Sequence, residues 1–172
     1  MVGRRSNKMA SANPSVDYKS ELASIREMYV LGTPQVRLNV INNRLNEPEI
    51  GAVKLVTIVS CIEALVRSLV VHLKAQNKNE IQHVYEKHRN QKPESLVEEY
   101  LKHNGCNDCS SFYQDDTWVL FQNAVKFRNL IVHECTYLGQ DKYPSLISAC
   151  GEVLDSLIKL GKLTARENSN SS

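Results

Sequence analysis

Aromatic side chains are scarce in this sequence: one Trp, three Phe and seven Tyr among 172 residues. So little aromatic mass beside abundant aliphatic residues suits a helical bundle better than a β-sandwich. Glycine is scarce too, seven in all, and none is arranged as a P-loop or a dinucleotide fingerprint, which excludes the usual Gly-rich phosphate cradles. No Ser-His-Asp arrangement is recognisable. Nor does charge of one sign dominate. The formal net charge is +2, so bulk electrostatics do not announce a nucleic-acid binder.

Long uninterrupted hydrophobic runs are missing as well. The longest apolar stretch, 52–73, is broken by Lys54, Glu63, Arg67 and His72, which argues against a membrane span. The first fifteen residues, MVGRRSNKMASANPS, are basic and polar and lack the apolar centre of a secretory signal. Five cysteines, Cys61, Cys106, Cys109, Cys135 and Cys150, form an odd set. Three of them fall in apolar helical patterns, as reduced core thiols do. These absences predict a soluble, cytoplasmic protein with no membrane partner.

What is present is helical periodicity. Residues 1–14, a basic arm with Arg4, Arg5 and Lys8, and residues 165–172 are polar and low in apolar content. Both ends are expected to be disordered, leaving one domain over 15–164, a length sufficient for a real core. A first helix is expected from Val16 or Asp17 to about Leu31, stopping at Gly32-Thr33-Pro34. A short helix over 35–47 would carry Val36, Val40 and Ile41. In the second long helix, Glu49 to Ala75, the residues Ile50, Val53, Ile58, Ile62, Leu65, Leu69 and Leu73 recur at three- and four-residue spacing. Its opposite face is largely apolar too, which places it centrally.

Farther on, a short helix is expected within 76–92, and Pro93 opens another with Leu96, Val97, Tyr100 and Leu101 inward. Residues 104–111 read as a loop. Asp115 or Asp116 is a candidate cap for a third long helix, through Trp118, Phe121 and Val125 to about Glu134. Pro144 opens the last helix, striped by Leu146, Cys150, Val153, Leu157 and Leu160. The expected fold is all-α, an antiparallel bundle of four to six helices.

Chemistry concentrates in Arg128-Asn129-Leu130-Ile131-Val132-His133-Glu134. A permanent cation, an amide and a titratable imidazole fall within about one and a half helical turns. Polar groups in apolar company cost free energy unless they are paired or used. The Arg-x4-His spacing alone says little, since Arg67 and His72 repeat it; only Arg128 is followed by Asn. Without further information, Arg128 is also readable as an ion-pair partner of Glu134 or Glu63, and His133 as a core histidine bonded to a carbonyl.

The string RNLIVHE in a late helix, with an earlier helix bearing Ser60, Glu63 and Arg67, resembles HEPN domains (higher eukaryotes and prokaryotes nucleotide-binding). The similarity spans about residues 45–160 in helix order, and the RN-x3-H motif is its specific part. The resemblance implies an HEPN-like bundle acting as a metal-independent endoribonuclease in a toxin or phage-defence setting. It implies a homodimer whose two motifs face one cleft, and an antitoxin or regulatory protein as a possible partner. By the same resemblance Arg128, Asn129 and His133 are the active residues, with Glu63 in support. The alternative is a catalytically silent HEPN domain kept as a scaffold or as a nucleotide- or RNA-binding module. An unrelated helical interaction module stands behind both.

The residue types fit RNA cleavage independently. Attack by the substrate's 2′-hydroxyl needs a group that moves protons near neutral pH, which is histidine's range. The transition state gathers negative charge on phosphate oxygens, which a guanidinium fork stabilises bidentately. Geometry adds a constraint. Asn129 and His133 share a helical face, whereas Arg128 and His133 point about 140° apart, so either the long Arg wraps round, a helical bulge re-aims it, or a second protomer supplies the missing group. Glu63 is equally readable as an intrahelical partner of Arg67, and Ser60 and Arg67 as residues lining the cleft. One toxin branch of the family has Tyr two residues after the His, where this chain has Cys135 and, two further on, Tyr137. His103, Cys106 and Cys109 lack the second ligand pair of a structural zinc. Neither a metal nor a cofactor is expected.

Overall fold

The computed structural model describes residues 18–135 and 139–164. The basic arm, the C-terminal tail and Tyr137 lie outside the described residues. Within them the chain runs through α1 (Tyr18–Leu31), α2 (Pro34–Leu45), α3 (Gly51–Lys74), α4 (Lys78–His88) and α5 (Pro93–His103). It continues through α6 (Cys109–Phe112), α7 (Thr117–Glu134), a 3-10 turn at Gln140–Lys142 and α8 (Tyr143–Leu160). No strand occurs among the described residues. The fold is an all-α helical bundle, and the short α4 and one-turn α6 bring the helices to eight.

Each boundary has a local cause. Pro34 stands at the start of α2, where its missing N–H costs nothing, and Thr33 Oγ1 accepts the Val36 N–H at 3.3 Å as an N-cap. Asp108 accepts the amides of Ser110 and Ser111, so the expected loop over 104–111 instead ends in α6. The cap expected at Asp115 or Asp116 is different from the prediction. Asp116 is the N-cap residue of α7, but at φ −91° and ψ 9° its side chain makes no capping bond. The extended backbone that aims a cap at the N2 and N3 amides is missing there. Thr117 Oγ1 instead donates to Glu152 Oε2 at 2.7 Å, tying the start of α7 to α8. Cys135, left-handed at φ 52°, ends α7.

Helix α3 is the axis of the core. It packs against α2, α4, α5, α7 and α8, and Ile58, Ile62, Leu65 and Leu69 are buried along it. By length and composition α3 could cross a membrane, yet 67% of its most apolar stretch is buried within the bundle. Leu96, Val97, Tyr100 and Leu101 of α5, Trp118, Phe121 and Val125 of α7, and Leu146, Cys150, Val153 and Leu157 of α8 are buried as their spacing predicts. The start of α7 meets the second half of α8, and Phe127 shares a small cleft with Ser145 and Leu146. The two helices are therefore antiparallel.

Two inward faces differ from expectation. In α2 the buried residues are Arg37, Leu38 and Ile41, while Val36 and Val40 are exposed. Ile50, the N-cap residue just before α3, is 87% exposed, and Val53 and Leu73 also face solvent; Leu55 is fully buried and Ala52 packs on the core, so the first turn of α3 is covered on one side only. The α1–α2 corner is fixed to α3 through the Gly32 carbonyl, which accepts His72 Nε2–H at 3.0 Å and the Ser68 hydroxyl at 3.5 Å. Gly32 has no room for a side chain, since a Cβ would lie 2.6 Å from the Met28 oxygen.

Candidate functional site

The α3–α7 contact carries a three-residue charge network. Glu63 and Arg67 are one turn apart on α3, and Arg67 Nη2 donates to Glu63 Oε1 at 2.5 Å. The other carboxylate oxygen, Oε2, accepts Arg128 Nη2 from α7 at 2.7 Å. One carboxylate thus serves two guanidiniums, and all three side chains are mostly shielded from water, Arg128 to 17% exposure. Such bonds are stronger than neutral ones because both partners are charged. The arrangement still leaves one positive charge in excess. The Nε atoms of Arg67 and Arg128 are both buried and form no hydrogen bond.

The rest of the motif lies on a different side of α7. Asn129 and His133 are exposed, sharing the face that i and i+4 positions share. Neither side chain makes a hydrogen bond to another described residue. His133 is therefore not a core histidine bonded to main chain. Of the two ion-pair partners open to Arg128 from sequence, the observed one is Glu63. So Glu63 and Arg128 come together, and Asn129 and His133 stay in register with each other. Arg128 and His133 diverge within one chain, as the helical angle requires. Leu130 and Val132, interleaved with the motif, are also exposed.

Ser60 and Arg67, expected along one cleft, line two. Arg67 borders a cleft of about 560 Å³ between α1, α2, α3 and α4, and Ser60 a smaller one of about 380 Å³ between α1, α2 and α3. Among the described residues no three His, Cys, Asp or Glu side chains converge as metal ligands. Cys109 is buried, and burial pushes its thiol up to about 11. Burial likewise raises Cys61 to about 11 and Cys150 to about 12, so these thiols remain protonated and unreactive at neutral pH.

Sequence reasoning passed over Arg37, the most enclosed cation of the described chain at 8% exposure. A signal was available. In NVINNRL and the turn before it, Arg37 occupies the helical face of Leu38 and Ile41, where a guanidinium stands out only if the apolar positions are assigned one residue later than Val36 and Val40. No family model, curated protein or solved structure matches the chain.

Proposed function

We propose that the protein is an HEPN-type endoribonuclease that cleaves RNA without a metal and acts as a homodimer. The observation that carries this reading is the exposed, uncommitted His133 side chain one turn after the exposed Asn129, on the helix whose Arg128 is held by Glu63 at 2.7 Å. Glu63 fixes the guanidinium, and the imidazole is left free to exchange protons with a substrate. The exposed Leu130 and Val132 beside Asn129 and His133 support pairing of two copies along this part of α7.

In the proposed reaction the 2′-oxygen of RNA attacks the adjacent phosphorus and the bond to the 5′-oxygen breaks. The products are a 2′,3′-cyclic phosphate and a 5′-hydroxyl. One His133 imidazole takes the 2′-hydroxyl proton, and the imidazolium of the second copy gives a proton to the departing 5′-oxygen. Asn129 positions the phosphate or the neighbouring imidazole, and Arg128 offsets the charge that grows on the phosphate oxygens. A toxin or phage-defence setting, with an antitoxin or regulatory protein restraining the enzyme, belongs to the same reading.

The test is incubation of the full chain with RNA in EDTA, with end-group analysis of any products. Cleavage yielding cyclic phosphate ends, abolished by His133→Ala and by Arg128→Ala in folded protein, is the expected result. Cleavage that persists in the His133 variant overturns the assignment. A second reading, a silent HEPN scaffold or RNA-binding module, is favoured by one observation: Arg128 is already engaged by Glu63 and mostly enclosed. It predicts RNA binding or partner binding with no cleavage at any pH.

A further inference from the structure

One cation takes no part in that site. Arg37 forms no ion pair among the described residues, although it is only 8% exposed. Its Nη2 donates to the Tyr29 carbonyl oxygen, and the guanidinium lies 4.3 Å over the Tyr29 ring. Its Nε is buried without any hydrogen-bond partner. Burial lowers its pKa below the ordinary guanidinium range, and the neighbouring Arg67 charge acts in the same direction. By contrast Arg44, on the same helix, is paired with Glu49. A buried charge with no counter-charge is unfavourable unless another group compensates it.

Arg37 and Arg67 both border the cleft of about 560 Å³. Arg67 brings little neutralisation with it, because Glu63 is shared with Arg128, and its own Nε is a second buried donor without a partner. Arg26, at the exposed rim, pairs with Glu86 at 2.9 Å and shares it with Arg89. Apart from Ser68, whose hydroxyl donates to the Gly32 carbonyl, the remaining wall is apolar or aromatic, with Ile25 from α1, Val71 from α3 and Tyr85 from α4. Small-ligand pockets have this composition, an apolar enclosure with a few converging polar groups. Guanidinium forks favour flat or tetrahedral oxyanions.

We propose that this cleft binds a small amphiphilic anion, its phosphate or carboxylate head on Arg37 and Arg67 and its apolar body against Ile25, Val71 and Tyr85. Binding is independent of RNA cleavage and is read without it. Calorimetric titration of the full chain with phenyl phosphate, phenylacetate and inorganic phosphate is the test. At least one of the two aromatic anions is expected to saturate a single site at least tenfold more tightly than inorganic phosphate does. A preference for phenyl phosphate assigns a phosphate head and the reverse a carboxylate; either order supports the site.

Arg37→Met, which keeps the length and removes the charge, is expected to weaken that binding at least tenfold. Ala64→Phe, which fills the cleft from α3, is expected to do the same while circular dichroism remains unchanged, and it decides the matter if Arg37→Met fails to fold. No saturation by either aromatic anion overturns the proposal. So does equal affinity for inorganic phosphate, or unchanged binding in the folded variants.

Discussion

Arg67 and His72 stand at the same separation along α3 as Arg128 and His133 along α7, and both arginines end on Glu63. The imidazoles part company. His72 gives its Nε2–H to the Gly32 carbonyl and holds the α1–α2 corner against the core. The His133 imidazole is exposed and bonds to no other described residue. Spacing therefore does not distinguish a structural pair from a chemical one. The surroundings of the imidazole do, because a ring nitrogen bonded to a carbonyl in the folded protein cannot also serve a substrate.

The comparison is broken most decisively by exchanging roles. His133→Ala is expected to reduce RNA cleavage by about 10²–10⁴-fold, the usual worth of a general acid or base. Because the residue is exposed, the unfolding free energy measured in urea should change by less than about 0.5 kcal/mol. His72→Ala is expected to do the reverse, leaving cleavage intact. If the two variants lose activity equally, the distinction drawn from their hydrogen bonds is wrong. Next in size is Glu63→Ala, which leaves two enclosed guanidiniums facing each other. Removing one partner of a buried charge network costs about 3 kcal/mol, checked by urea denaturation of the variant. A cost near zero would mean that Arg67 and Arg128 reach water without Glu63, and that Arg128 is not held.

A smaller cost, about 1–2 kcal/mol, is expected for the His72→Ala variant itself. It removes a donor from the Gly32 carbonyl and leaves that acceptor to a distant Ser68 hydroxyl. Restoring a donor with His72→Gln should recover part of it, whereas an unaltered urea midpoint in His72→Ala would remove this residue from the structural side of the comparison.

Much of the bundle was legible in the sequence because α5, α7 and α8 bury one continuous stripe and α3 buries nearly all round. Period alone finds such helices. It fails in α2, where the buried face includes Arg37. A charged residue is assigned outward by default, and only a neighbouring cleft gives it a reason to be inside. Ile50 and Val53 mislead in the opposite sense, since the apolar spacing says nothing of which sides of a helix have neighbours, and around Val53 only the Leu55 side is covered. At the candidate site the residue types and the divergence of Arg128 from His133 were readable from helical angles. The choice of Glu63 over Glu134 as the partner of Arg128 was not, because it depends on how α7 lies across α3.

The smallest expected effect concerns the end of α3 beyond His72, and it asks whether this half of the helix is structural to its last turn. Lys74 there donates to Glu99 on α5, and Gln91 donates to the other oxygen of that carboxylate at 2.8 Å. Burial alone would raise the Glu99 carboxyl, but the bonds from Lys74 and Gln91 outweigh it and hold the pKa below the ordinary 4.5. A carboxylate whose pKa is depressed in the folded state adds stability that is complete above its unfolded value. That stability is lost as pH falls through the folded pKa. Going from pH 6 to pH 3 should therefore diminish this contribution in the native protein and leave Glu99→Gln without that change. Because both side chains remain partly in water, the difference between the two unfolding free energies from urea denaturation should stay under about 1 kcal/mol. It should shrink in high salt, as an exposed pair's does. A Glu99→Gln variant that tracks the native protein across the whole range would show that Lys74 leaves α5 unanchored, and the structural role of α3 would then end at His72.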